Sequence, residues 1–563
     1  MRSILNLGAR RRIAVGAVAA TLLLPLALLS TTSGATTPST NPIDLTAPNI
    51  PGVAALPGTG VTAAAFTIGS SIGALAVSPE EGLEGSSATI SGSGLPANTA
   101  VQLDWSTANM TWVADVEPDT VNYLGTSVKD FNVVFTTVTT NASGAFSYPL
   151  TVPSDFGGLH TIYAVVKNVE LAQGGYTITR TLSITPKSGP VGTPITITYT
   201  GMGASLYTGG ASVLWDNHYA GEMMANWTRG TASITIRASG PVGPHLVQVG
   251  NAISYMYLNV VQSPIPYTNG GTTVFHTTSG TPSLTPFITW PAQVTPTVSE
   301  ITTLATAGLD PASSASGSLS VTSGPVLTPD TLSVTGLPSG QTTDQLVWAT
   351  VVGNRVNCTS TCWAFSYAPM GNATVTSGSI NQQITIPDGL GGWHVLQVMN
   401  GTNIEAQVPY YVKESIVPFH NAAGQLVSMG VATAIDTDTP AQLADGQSGV
   451  GTYTFHENQE FTISINGVGW TQLDNTLGVD YDNSYMGYGC GFNSNGYMVI
   501  HLHATGAVGY HVVDLYPMLY SLSPSFASTP YGMVPLLSAG RDYPGLALGY
   551  QVPSIHFVIR VVK

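Results

Sequence analysis

The chain has 563 residues, of which 8% are charged, against roughly 25% in ordinary globular proteins. Fifteen Lys and Arg face 30 Asp and Glu, and the formal net charge of −15 excludes a general nucleic-acid binder, because phosphate affinity comes from basic side chains. A 43% hydrophobic share excludes a disordered polymer, and three Cys exclude a disulfide-dense scaffold.

Residues 1–35 read as a signal peptide. Arg2, Arg10, Arg11 and Arg12 precede an apolar run from Ile13 to Leu29, and Ser33-Gly34-Ala35 suits a signal peptidase. The run is also about as long as the ~17–25 residues that span a bilayer. An uncleaved anchor is therefore the alternative, and only then does the chain meet a membrane. Removing residues 1–35 takes away four arginines and no acid, which moves the net charge from −15 to −19. The expected location is secreted, extracellular or at the cell surface.

Residues 36–72 are rich in Pro, Thr, Gly and Ala and read as a flexible linker. Beyond them short alternating runs dominate, such as Ile195-Thr196-Ile197-Thr198-Tyr199 and Phe461-Thr462-Ile463-Ser464-Ile465. In each, apolar residues share one face of a period-2 strand. Turn-forming clusters punctuate them at roughly eight to twelve residues, the spacing of all-β immunoglobulin-like sandwiches. Four tandem domains follow: A at 73–180, B at 181–262, A′ at 318–413 and B′ at 451–563. Residues 263–317 read as a Pro/Thr/Ser/Gly-rich linker or extra strands, with Phe275, Phe287, Ile288 and Trp290 marking the part that packs. Residues 414–450 read as a further linker.

Internal repeats carry more information. Residues 193–249 align without a gap with 459–515 at a constant offset of 266, pairing Gly201 with Gly467, Asp216 with Asp482 and His245 with His511. A second pair matches at an offset of 234, with Gly157, Gly158 and His160 against Gly391, Gly392 and His394. The order is an A-B-A′-B′ duplication. The first three units also share a beginning, as in Pro186-Lys187-Ser188-Gly189 followed by an alternating strand to Gly201. This pattern resembles the opening of an IPT/TIG-type immunoglobulin-like domain. The resemblance covers 15–20 residues per unit, and the fourth unit keeps only its strand and Gly467. It implies a β-sandwich with a spacer, ligand-binding or adhesive role, and no catalytic residues.

A histidine recurs in each unit, His160, His245, His394 and His511, each two residues after a Gly and before an apolar alternation. Metal binding or general-base work is one reading. A satisfied corner residue, standing where related sandwiches use Tyr, is the favoured one. Asp216-Asn217 and Asp482-Asn483 precede their histidines by 29 residues at the Asp, with Tyr219 and Tyr485 following. They read as turns, with a weak Ca²⁺ site as the residual alternative. Cys490 has no nucleophilic counterpart in unit B, where Met224 stands, which argues against a Cys-His-Asp enzyme. Cys358 and Cys362 read as a small disulfide in an exported chain. His501 and His503 read as a solvated strand face. Trp105, Trp112, Trp215, Trp227, Trp348 and Trp363 are the candidates for stacking on sugars. No catalytic, cofactor or metal residue is assigned and no cofactor is expected.

The leading expectation is a non-enzymatic structural or adhesive surface protein, an elongated spacer or envelope-layer component, with other envelope proteins or surface glycans as partners and no nucleic acid. A carbohydrate-binding array is the alternative. A hydrolase or metal-dependent enzyme centred on the C-terminal unit is the second alternative.

Overall fold

A computed structural model describes residues 42–49, 64–117, 120–205, 208–251, 270–282, 288–297, 315–353, 363–416, 418–420, 426–429, 431–432, 452–520 and 533–563. The signal segment, Cys358 and Cys362 lie outside these.

Four β-sandwiches of one topology follow one another. In unit A, Ala74–Ser78, Ser87–Ser93 and Phe146–Thr151 make a three-stranded antiparallel sheet. Ala88 and Ile90 of its middle strand point inward while the alternating Ser and Thr stay exposed, as a half-buried strand requires. The facing sheet runs through Ala100–Glu117, Gly158–Val166 and Val169–Ile178, with Glu81–Gly82 parallel on its edge. Unit B repeats this with Thr181–Thr185, Pro194–Thr200 and Ala232–Arg237 against Gly210–Trp215, Gly243–Asn251 and Thr272–Thr277. Unit A′ repeats it with Ser316–Leu319, Pro329–Thr335 and Ser379–Thr385 against Thr343–Gly353, Gly392–Asn400 and Asn403–Val412. Unit B′ does so with Ser415–Ile416, Glu460–Asn466 and Met498–His503 against Thr476–Tyr481, Gly509–Tyr520 and Ser554–Val562. The chain is thus an all-β tandem of immunoglobulin-like sandwiches.

The stretches between units also supply strands. Ile43–Leu45, within 36–72, pairs antiparallel with Trp112–Ala114. Thr272–Thr277 closes the sheet of unit B, so that unit reaches beyond residue 262, because Gly243–Asn251 takes its second edge partner there. Ile288–Thr289 joins the last strand of unit B′. Ser415–Ile416 gives unit B′ its first strand from the region 414–450, and Pro418–His420 pairs with Leu426–Met429 as a hairpin in the same region.

An elongated spacer is not what these contacts build. Unit A carries a long hairpin, Ala100–Glu117 with Thr120–Thr139, that extends past its own sandwich. Trp112, Ala114, Val121 and Tyr123 on this arm are buried in one cluster with Phe461, Leu477 and Leu515 of unit B′. Trp227 of unit B and Tyr411 of unit A′ join the same cluster. The physical reason is an insertion between Gly509–Tyr520 and Ser554–Val562. Its described part, 533–553, holds Met533–Pro535 and a short helix Pro544–Ala547, and it presents apolar side chains to all three other units. Unit B′ is therefore a hub.

Candidate functional site

The signature histidines stand at the start of Gly158–Val166, Gly243–Asn251, Gly392–Asn400 and Gly509–Tyr520, and each ring is held at both nitrogens. Nδ1 and Nε2 of His160 face the Ser106 and Phe156 carbonyl oxygens at 2.7 and 2.6 Å. Those of His394 face Ala349 and Leu390 at 3.0 and 2.9 Å. In units B and B′ a carboxylate replaces the first carbonyl. His245 Nδ1 lies 2.6 Å from Asp216 Oδ2 and Nε2 2.8 Å from the Pro241 carbonyl. His511 repeats this with Asp482 at 2.6 Å and Ala507 at 2.7 Å. Burial works against a charged His511, but the hydrogen bond and charge of Asp482 outweigh it and hold the ring above the ordinary range. Burial pushes His394 below that range despite its carbonyl partners.

Asp216-Asn217 and Asp482-Asn483 are two-residue hairpin turns with φ of +49° and +68°, and +52° and +58°. Positive φ at both positions is the type I′ requirement that Asn and Asp tolerate. The second oxygen of each Asp accepts a backbone N–H, from Leu246 at 2.8 Å and from Val512 at 3.0 Å. Gly506 has φ +100°, and a Cβ there would lie 2.5 Å from the His511 ring, so the corner admits only glycine. Tyr219 and Tyr485, at equivalent positions, meet edge to face with centroids 6.3 Å apart. Asn217 is exposed, whereas Asn483 is buried and donates to the Arg237 carbonyl at 2.8 Å and Ser239 Oγ at 2.9 Å. The same turn thus ends one unit in solvent and fastens the other to its neighbour.

Trp105, Trp112, Trp215, Trp227 and Trp348 are buried and cannot offer a face to a sugar. Three of them stack on a corner histidine, at centroid distances of 4.5 Å for Trp105–His160, 5.1 Å for Trp215–His245 and 5.0 Å for Trp348–His394. The Trp363 side chain lies outside the described residues. His501 and His503 are exposed on one strand face, and Cys490 is exposed on the edge strand Ser484–Cys490. Among the described residues no three His, Cys, Asp or Glu side chains gather as a metal site needs.

What the sequence did not reveal is a cleft of about 800 Å³ between units B and B′. Its walls are the outward face of Pro194–Thr200 and Ala232–Arg237, the segment around Trp290, the insertion through Arg541, and Ser554–Val562. Arg237, Tyr516 and His556 line it, with Arg541 and Trp290 facing them. Asp480, Asp514 and His556 lie side by side on three neighbouring strands. His556 Nδ1 is 2.7 Å from Asp514 Oδ1, and Arg237 Nε is 3.6 Å from the same oxygen. A carboxylate only accepts, so Nδ1 carries the proton and Nε2 is an acceptor. Burial pushes the His556 ring down, against the pull of Asp514, which keeps it neutral. Burial and then the charge of Asp514 push the Asp480 carboxyl well above its ordinary value, and neither of its oxygens has a hydrogen-bond partner among the described residues. The sequence signal for this trio was three ionisable residues at outward positions of otherwise apolar strands.

No protein-family model matches this chain, and no curated protein does. Solved structures match it at low identity. An Escherichia coli adhesin, FdeC, is 11% identical with a TM-score of 0.15, covering 62% of this chain and 99% of its own. The ICAM-5 D1–D4 ectodomain fragment is 10% identical with a TM-score of 0.16, covering 87% and 100%. A putative membrane anchored protein from Corynebacterium diphtheriae is 9% identical with a TM-score of 0.15, covering 60% and 91%. Likenesses at this level carry no argument about arrangement or role. No helix among the described residues is long and apolar enough to cross a membrane.

Proposed function

We propose that this is an exported, non-enzymatic structural or adhesive protein of the cell surface, built from a duplicated pair of IPT/TIG-like domains. The observation that carries this reading is the use made of its polar side chains. The four repeating histidines are held at both ring nitrogens, and in units B and B′ one of the two partners is the Asp of the repeating Asp-Asn turn. Repetition therefore preserves shape and not a reaction centre. The duplication is supported by a junction that recurs between successive units. Gly157 donates to the Met202 carbonyl at 2.7 Å, and Gly391 donates to that of Val468 at 2.9 Å. The acidic excess and the N-terminal signal pattern support export.

Fractionation of the producing cells, with surface biotinylation and N-terminal sequencing, tests the reading. The expected result is a labelled protein in the envelope or medium that begins near residue 36. An unlabelled cytoplasmic protein with its N-terminus intact would overturn it.

A further inference from the structure

We propose that the cleft between units B and B′ binds an acidic carbohydrate, a sugar ring bearing a carboxylate. This deepens the surface-protein reading and rests on it for where such a ligand is met.

Charge comes first. Beyond residue 35 the chain has 11 Lys and Arg in all, and two of them, Arg237 and Arg541, line this one cleft. Among the described residues no Asp or Glu lines it, and the buried Asp514 behind it pairs with Arg237, which leaves Arg541 as the open cation. Arg237 is 4% exposed. It donates to the Gly192 carbonyl at 3.3 Å, and its Nε, without a hydrogen bond among the described residues, forms an ion pair with Asp514 at 3.6 Å. Arg541 is exposed, and its guanidinium forms no ion pair among the described residues. A planar fork left open in this way matches the two oxygens of a carboxylate.

The remaining wall suits a hydroxylated ring. Trp290 is partly exposed, and the Lys413 ammonium lies over its ring 5.2 Å from the centroid, so the other face of the indole is what it offers to the apolar face of a sugar. His556 lends Nε2 as an acceptor for a hydroxyl, its other nitrogen being taken by Asp514. Thr196 and Thr235, directly opposite each other on adjacent strands, add two hydroxyls. A few placed polar groups around an apolar platform is the usual make-up of a ligand cleft. A simple anion would need only the arginines, and a neutral sugar would leave them unused.

Calorimetry of the full mature chain with trigalacturonate, its neutral galactose counterpart and sodium acetate tests the assignment. Trigalacturonate should bind at least tenfold tighter than either control. Arg541→Ala and Trp290→Ala should each weaken it at least tenfold while leaving the melting temperature in place. No heat at millimolar trigalacturonate, binding that survives both substitutions, or equal binding of galactose or acetate would each overturn the proposal. A surface-labelled protein that fails here loses the cleft assignment alone. A cytoplasmic protein that binds trigalacturonate loses the surface reading alone.

Discussion

The junction between units A and B and that between A′ and B′ are built on the same glycine contact and filled differently. In both, a glycine packs on the backbone of the next unit so closely that a Cβ at Gly157 or Gly391 would lie 1.7 Å from the carbonyl oxygen of Gly201 or Gly467. In both, the residue after that glycine's partner donates a bond at 3.0 Å, Met202 N–H to the Gly230 carbonyl and Val468 N–H to that of Gly496. The A–B junction then buries an ion pair. Arg229 meets Asp155, Thr107 Oγ1 at 2.7 Å and the Ala108 carbonyl at 3.3 Å, while Trp105 donates to Asp155 at 2.9 Å. The A′–B′ junction has Gly389 and Asn495 at the matching places. Backbone approach fixes how two sandwiches meet, and the buried arginine–aspartate filling is an addition of the A–B junction, the A′–B′ junction having Asn495 and an exposed Asn466–Asp388 bond at 3.4 Å instead.

Breaking the filling from one side should have the largest effect. Asp155→Ala strands a buried guanidinium and is expected to cost about 3–5 kcal/mol, read from urea unfolding. A loss under about 1 kcal/mol would mean that the pair contributes little.

The next test concerns protons. Burial raises the Asp542 carboxyl to about 7 from an ordinary 3.8, although Trp112 Nε1 and the Trp227 N–H donate to it. A carboxyl that holds its proton more tightly when folded contributes stability that is whole below about 3.8 and is lost as pH rises toward 7. Three pKa units correspond to about 4 kcal/mol. Asp344, pushed up to about 6 by burial and by Glu405, has the same sign. So does His511, whose contribution is whole below 6.5 and fades as pH rises through its raised value. His394 and His556, pushed down, act oppositely below 6.5. Melting temperature should therefore fall from pH 5 to pH 8, and Asp542→Asn should flatten that slope. A slope that the substitution leaves unchanged would contradict the assignment.

Copying one junction into the other comes third. The double change Asp155→Gly with Arg229→Asn should recover most of the Asp155→Ala loss. About 1–2 kcal/mol should remain for the orphaned Trp105 N–H. If the double variant is no better than the single one, the two junctions are not interchangeable. The smallest contrast lies in the paired turns. Both Asn217→Ala and Asn483→Ala should cost about 1–2 kcal/mol for their left-handed backbone, and Asn483→Ala, which also loses two bonds across the B–B′ boundary, should cost about 1–3 kcal/mol more. Equal losses in matched melts would remove the distinction between the buried and the exposed turn.

Much of the fold was legible because it is local. Alternation in Ser87–Ser93 places Ala88 and Ile90 inside, and Asp-Asn between two strands encodes its own turn. Spacing alone brought Asp216 to His245, since a hairpin and its neighbouring strand bring them together. The hub was not legible, because Trp112 and Asp542 are 430 residues apart and meet only once four sandwiches have packed. The cleft was hidden for the same reason. Asp514 and His556 are 42 residues apart across the insertion, and Trp290 sits in a stretch whose composition resembles a linker. Five of the six tryptophans proposed as sugar platforms, Trp105, Trp112, Trp215, Trp227 and Trp348, failed because buried cores need large side chains and took them.

In every unit the short strand near its beginning runs parallel to the last strand of its second sheet. Only two residue pairs hold it in units A, B and A′, but five do in B′, from Thr452 opposite Val558 to His456 opposite Val562. Two parallel neighbours that enter and leave a unit in this way point their free ends in opposite directions. Tension along the chain then slides them past each other, so the bonds between them must yield together and not one after another. Under a steady pull unit B′ would be the last of the four to open, and the cleft would be lost earlier, when unit B gives up the wall it supplies.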